Sequence, residues 1–296
     1  KNMQIKLEKV MATNFNGTIK ALKMGDRVEH ILYNADFKLK VHSVFEHAVN
    51  FIGLNDWIIT VLPESYCIGP QGIILRHEEF LKLKSIELNK VEFLDFRKFI
   101  SLKDAETVPR KVADDTIPID MSKVKANKEY LGKLLQESGN KSGLLGQTNI
   151  YGKYAEPILK EFDSLFIGRR YKEAGQKLFE LVGLGPGLTP SGDDFIIGVM
   201  ASFKFYRMNE EIFKEITEPI IHKAKSRTNI ISYNMLRQGA SGGFLEWIED
   251  MALSVLYKNT EDIEKAFINM MKIGSSSGSD ISAGILFGME EVMNHS

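Results

Sequence analysis

Cysteine is nearly absent: Cys67 stands alone among 296 residues. That excludes an intrachain disulfide and any cysteine-based zinc site. It is also compatible with a reducing cytoplasm, the location expected here. No apolar run approaches the roughly 18–20 residues that a membrane-spanning helix needs. Neither sign of charge dominates, with 38 basic and 39 acidic side chains and a formal net charge of -1, so there is no electrostatic footprint for nucleic acid. Of the six histidines, His30, His47, His77, His222 and His295 have no metal-like spacing with one another, so a histidine zinc site is not expected. The opening Lys1-Asn2-Met3 does not resemble a signal peptide. What remains is an ordinary globular composition, 44% hydrophobic and 26% charged, long enough for one large domain or two of usual size.

The pattern changes along the chain. Through the first hundred residues, Arg27 to Tyr33, Phe37 to Phe45, Asp56 to Leu62 and Ile73 to Leu75 are short β-branched and aromatic runs, and Phe93 to Ile100 reads as a further strand. Gly25-Asp26, Asn34-Ala35-Asp36, Pro63-Glu64-Ser65 and Gly69-Pro70-Gln71-Gly72 punctuate them as turns. A charged segment with Pro109 and Pro118 follows, and the pattern then becomes helical from Ser122 onward. The expected class is α+β, with a β-rich domain over 1–105, a linker over 106–121 and an α-helical domain over 122–296. Within the latter, Phe195 to Phe205 is apolar on nearly every face, as a central buried helix would be.

A loop rich in glycine and hydroxyls leads into that helix: Gly183-Leu184-Gly185-Pro186-Gly187-Leu188-Thr189-Pro190-Ser191-Gly192-Asp193-Asp194. It has an echo. Ser191-Gly192-Asp193-Asp194 with Gly198 fits S-G-x-D-x-x-x-G, and Ser277-Gly278-Ser279-Asp280 with Gly284 repeats it 86 residues later. One reading is purely local. The first N–H groups of a helix lack internal partners, and Ser followed three residues on by Asp resembles a capping box. Three features exceed capping. The loop glycines are entropically costly and suit a backbone that approaches a ligand or presents N–H groups to an anion. Asp193 and Asp194 adjoin an apolar helix, where carboxylates need hydrogen bonds, a cation or a metal. Gly198 and Gly284 stand one turn further in; if they face each other, the two polar starts converge.

Known phosphate loops do not account for this stretch. A P-loop would require lysine where Asp193 stands, and G-x-G-x-x-G fails at Leu188. The remaining chemistry is an anion-ready backbone beside acids: Mg²⁺ bridging carboxylate and phosphate is one possibility, direct recognition of an amide or carbamoyl group another. Arg227, Thr228, Asn229 and Ser232 place further donors on one short segment, and Ser275, Ser276, Ser277 and Ser279 enrich the second start in hydroxyls. No G-x-S-x-G elbow or cysteine–histidine pair points to a covalent nucleophile. Cys67 reads as a small core residue, and Arg169-Arg170 as an exposed basic pair.

The G-L-G-P-G-L-T-P-S-G-D-D run followed by an apolar helix resembles a bacterial family, one branch of which is the third, smaller subunit of oxamate carbamoyltransferase. The likeness extends to Arg227-Thr228-Asn229-Ile230-Ile231-Ser232 with Leu236 and Gly239, and to Gly274 through Asp280, where Ser275 replaces a frequent histidine. In the first domain Val41-His42-Ser43-Val44-Phe45 and Gly69-Pro70-Gln71-Gly72-Ile73 are similar too. The resemblance implies a role in anaerobic allantoin catabolism, in an enzyme that interconverts oxalurate plus phosphate with oxamate plus carbamoyl phosphate, and it implies partner subunits.

Together these readings predict a subunit that binds a small anionic substrate at two joined helix starts. Gly185, Gly187, Thr189, Ser191 and Gly192 are expected on the anion, with Asn229, Ser232, Ser276, Ser277 and Gly278 around it. Asp193, Asp194 and Asp280 are the expected catalytic acids, Asp194 and Asp280 also being candidate ligands for Mg²⁺. His42 is a substrate contact only by the resemblance; by itself it reads as a half-buried strand histidine. The rival from another class is a non-catalytic subunit that senses a small anionic metabolite.

Overall fold

The structure, a computed structural model, describes residues 18–53, 56–86, 94–144 and 149–295. The chain is α+β: a sheet-based first unit, residues 1–110, precedes a helical second unit, residues 111–296.

In the first unit β1 (Ile19–Gly25), β2 (Lys38–Val44), β3 (Val49–Ile52), β4 (Ile58–Pro63), β5 (Gly72–Leu75), β6 (Leu94–Asp95), β7 (Ile100–Ser101) and β8 (Glu106–Val108) form one sheet. Its order is β6-β2-β3-β4-β5-β1-β7, with β8 also pairing β1. β2, β3 and β4 are an antiparallel meander, β4 and β5 run parallel, and β1 takes β5 antiparallel and β7 and β8 parallel. β2 alternates between covered and exposed residues, whereas β3 and β5 are buried along nearly their whole length. Val49, Phe51, Ile59, Val61 and Ile73 face the core, while the register partners Ser43, Asn50 and Thr60 form a hydrogen-bonded polar row on the other face.

Two expectations fail here for identifiable reasons. Arg27 to Tyr33 is not a strand but helix α1 (Val28–Asn34). Its buried residues Val28, Ile31 and Leu32 have i, i+3, i+4 spacing, and Tyr33 points to solvent, so periodicity prevails over β-branched composition. The strand expected over Phe93 to Ile100 breaks up: Phe93 lies outside the described residues, β6 is two residues long, and a 3-10 turn (Phe96–Lys98) buries Phe96 edge-on against Phe51, 5.6 Å between centroids. Helix α2 (His77–Ser85), not foreseen, seats Phe80 and Leu83 in this core. The segment expected as linker begins with β8, which belongs to the sheet.

The second unit consists of α3 (Met121–Ser138), α4 (Ile150–Ile167), α5 (Tyr171–Leu178) with a 3-10 extension to Leu181, α6 (Ser191–Phe205), α7 (Glu210–Ala224), α8 (Ile230–Ala240), α9 (Glu246–Tyr257), α10 (Thr260–Met270) and α11 (Ser277–His295). Asp120, Asn149, Asn209, Asn229 and Asn259 cap α3, α4, α7, α8 and α10 with their side chains. α6 lies at the centre. Every residue from Ser191 to Phe203 is buried, with Phe195 against Phe287 of α11 and Phe203 stacked on Phe166 of α4. Each fully buried aromatic of this kind contributes about 1.5–3 kcal/mol. Among the described residues no helix is long and apolar enough to cross a membrane.

Candidate functional site

The two helices that carry the repeated motif are packed backbone to backbone. A Cβ on Gly198 would overlap the carbonyl oxygen of Ile281, and one on Gly284 would overlap that of Phe195 and lie 3.1 Å from the Gly198 Cα. Only glycine fits at either position, so Gly198 does face Gly284 and the starts of α6 and α11 converge. Six residues earlier the repeat continues. Gly192 abuts the Leu181 carbonyl at the end of the α5 extension, and Gly278 abuts the Met270 carbonyl at the end of α10; a Cβ would overlap either oxygen. The two N–H groups are occupied likewise, Gly192 donating to Leu184 O at 2.8 Å and Gly278 to Ile273 O at 3.0 Å. Both glycines were expected on the anion. Their geometry instead packs each motif helix onto the helix before it.

The capping-box expectation also changes. The N-cap of α6 is Pro190, and its side chain makes no cap; Ser191 is already inside the helix. The Pro190 carbonyl takes the N–H groups of Asp193 at 2.9 Å and Asp194 at 3.1 Å. Asp194 is therefore not required for capping, and its carboxylate is available for something else. In the second copy the Ser276 carbonyl accepts from Asp280 N at 2.9 Å.

Adjacent Asp193 and Asp194 have opposite circumstances. Asp193 is fully buried and well supplied with donors: Gly183 N at 2.8 Å, Ser232 Oγ at 2.6 Å and the Thr228 hydroxyl. It was expected to be catalytic. The structure makes it a clasp joining the loop, α6 and the start of α8. Asn229 adds to the clasp, capping α8 through Ile231 N and Ser232 N while its Nδ2 donates to Leu188 O at 2.7 Å. Burial raises the acid range of Asp193, and its three donors together with Arg227 oppose the rise.

Asp194 is also fully buried, yet neither of its carboxylate oxygens has a hydrogen bond of acceptable geometry. The hydroxyls of Thr189, from the loop, and Ser277, from the other helix, lie beside it and hydrogen-bond to each other at 2.9 Å. Burial drives its acid range well above the usual carboxylate value; the neighbouring charges of Asp280 and Asp193 push the same way, and the two hydroxyls push back. Asp280, fully buried at the equivalent position of α11, accepts from Leu144 N at 2.8 Å. The segment after α3 closes over it: a Cβ on Gly143 would overlap the Asp280 carboxylate, and Asn140 N donates to Ser279 Oγ at 2.8 Å. Sequence reasoning passed over Gly143, Leu144 and Asn140, because a backbone N–H that meets a carboxylate 136 positions away leaves no local signal.

Around this pair the loop stays open. Gly185 and Gly187 have φ of +107° and +101°, a backbone favoured by glycine, and a Cβ on Gly187 would meet little but Thr189 O at 3.9 Å. Among the described residues the N–H groups of Gly185, Gly187 and Thr189 donate to no other group. Ser191 is buried on the first turn, and Ser276 is half-buried before α11. Among the described residues there is no group of three or more histidine, cysteine or carboxylate side chains placed to hold a metal. His42 belongs to the first unit, exposed on β2 with Nδ1 3.0 Å from Ser43 Oγ.

The converged starts thus offer unengaged loop N–H groups, two hydroxyls and a buried carboxyl pair within one unit. Residues 181–289, which contain both starts, match the family described as oxamate carbamoyltransferase subunit AllH, and residues 20–108 match the N-terminal domain of that family. No solved structure matches the chain. With most of its length covered by the two matches, the chain belongs to the AllH family of oxamate carbamoyltransferase subunits.

Proposed function

We propose that this chain is a working part of a carbamoyltransferase complex and supplies the pocket where a small amide acid and phosphate meet. The reaction is oxalurate plus phosphate to oxamate plus carbamoyl phosphate, in allantoin breakdown in the cytoplasm. One observation carries the reading: two hydroxyls from different helix starts, Thr189 and Ser277, meet at a buried carboxyl group that the fold leaves without a hydrogen bond. A phosphate or carboxylate oxygen rests on the N–H groups of Gly185, Gly187 and Thr189, assisted by the positive end of α6. The substrate amide turns toward Asp194 and Asp280. Partner subunits supply the basic side chains that balance the anions. Positioning and fixed dipoles lower the barrier.

The test is reconstitution. Carbamoyl phosphate formation by the assembled subunits should require this chain and should fall at least tenfold with Thr189→Val or Ser277→Ala, while assembly is kept. A complex that turns over equally well with both variants, and loses only its response to metabolites, would make the chain a sensor rather than part of the active site.

A further inference from the structure

Strand β2 carries basic side chains on the sheet face away from the core. Lys38 and Lys40 are exposed and alternate along the strand, so they share one side, about 7 Å apart. Lys40 pairs in register with Ile52 and stands on the side of Asn50, opposite Phe51. The ladder then slips: Val41 pairs with Phe51 and Ser43 with Asn50, so His42 is an extra residue in β2. Bulges of this kind re-aim side chains and are frequent beside functional sites. Successive strand residues ordinarily point apart, yet here His42 Nδ1 lies 3.0 Å from Ser43 Oγ.

Behind the histidine runs a chain of hydrogen bonds with a buried anchor. Thr60 Oγ1 donates to Asn50 Oδ1 at 2.8 Å, and Asn50 Nδ2 donates to Ser43 Oγ at 3.1 Å. Asn50 is only 3% exposed, so the chain is held from the interior of the sheet unit. Because Ser43 accepts from Asn50, its own hydrogen goes to His42 Nδ1. Nδ1 is then an acceptor, and the neutral ring carries its hydrogen on Nε2. The bulge and the chain together turn an exposed strand histidine into a fixed N–H donor.

A cleft of about 470 Å³ opens over this row, lined by Lys38, Lys40, His42 and Ile52, with Asp56 as its acid. That size lies within the range of about 300–1,000 Å³ usual for small-molecule sites. Lys38 is engaged by Asp36 at 3.1 Å. Among the described residues Lys40 forms no ion pair, so its ammonium is left for a ligand. We propose that the sheet unit holds an anion site of its own here, in which the Lys40 ammonium and the His42 Nε2–H bind one small oxyanion, a carboxylate or phosphate group. Ser43 and Asn50 are positioning residues. The site is independent of the helix-start reading, whose residues all lie in the second unit.

A titration read at His42 itself tests this. Nitrogen–proton correlation spectra of the imidazoles in the purified chain, at about pH 8 where an ordinary histidine is neutral, should show the His42 hydrogen on Nε2. The signal is identified by its loss in His42→Gln. Inorganic phosphate or oxamate, added at constant ionic strength, should shift it to saturation; a response to either one supports the site and names the group it prefers. Lys40→Ala changes an exposed side chain and should weaken that binding about tenfold, the worth of one charge-assisted contact. Ser43→Ala should mix the two ring tautomers and weaken binding as well, whereas Thr189→Val, at the other site, should leave the His42 response unchanged. A hydrogen on Nδ1 overturns the proposal. So does a His42 signal that neither anion moves, that drifts without saturating, that Lys40→Ala leaves equally responsive, or that Thr189→Val silences; Lys38 and Lys40 would then be solvated strand charges.

Discussion

The starts of α6 and α11 are two versions of one device. Both place a glycine against the carbonyl that ends the preceding helix, both place an aspartate two residues later, and both place a second glycine at the crossing. They differ in what leads into them. α11 is reached from α10 by a short turn, Met271 to Ser276, with Gly274 alone at positive φ, whereas α6 is reached by the longer Val182–Pro190 loop with Gly183, Gly185 and Gly187 at positive φ. Features common to both starts belong to packing: Gly192, Gly278, Gly198 and Gly284 let two helix-loop-helix units dock. Features of only one start, the open glycine loop and the extra Asp193 clasp, belong to the ligand and to holding the loop that receives it.

That comparison can be broken at several points. The largest effect on stability is expected from Asp193→Ala, which strands the buried Ser232 hydroxyl and the half-buried Gly183 N and Thr228 hydroxyl; a buried donor left unpaired costs roughly 1–3 kcal/mol, so chemical denaturation should register a loss of about 3 kcal/mol. Next come Gly192→Ala and Gly278→Ala. If the two starts are equivalent in packing, both should cost similar amounts, about 1–3 kcal/mol, because the overlapped atom is backbone that cannot swing away. A large loss for one with none for the other would end the equivalence.

A pH effect follows from the far end of α11. Burial, together with the facing Asp163, pushes the Glu291 carboxyl up to about 8. The folded chain therefore holds this proton where the unfolded chain, with an ordinary glutamate value, has released it. Stability is unpenalised below the unfolded value and declines as pH rises toward 8, with a slope of at most about 1.4 kcal/mol per pH unit. Glu291→Gln should flatten that decline in a melting-temperature series. The smallest stability effect is expected from Gly187→Ala, about 1 kcal/mol for its strained φ, since the space around it is open. Its phosphate affinity should fall nonetheless; unchanged affinity would return the loop to a merely structural part.

Much of this was legible in the chain. The division into a β-rich and a helical region, the buried course of α6 and the pairing of the two motifs all follow from local patterns that survive folding. The separate fates of Asp193 and Asp194 were not legible. Both are acids at the start of a buried helix, and what distinguishes them is a 100° step around that helix, which turns one toward Thr228 and Ser232 and the other toward α11. Gly192 and Gly278 read as anion-binding glycines, because the carbonyl each one meets belongs to a different helix and leaves no local signal. α1 was legible too, but through the spacing of Val28, Ile31 and Leu32 rather than their composition.

The central claim is that the two starts make one ligand site, and a double-mutant cycle tests it most directly. Oxamate and phosphate affinities of the assembled complex would be measured for wild type, Thr189→Val, Ser277→Ala and the double variant. One shared site predicts that each single change weakens binding and that the two are coupled by about 0.5–3 kcal/mol. Strictly additive losses, or affinities that neither change moves, would mean that the two helix starts meet in the fold without meeting at a ligand.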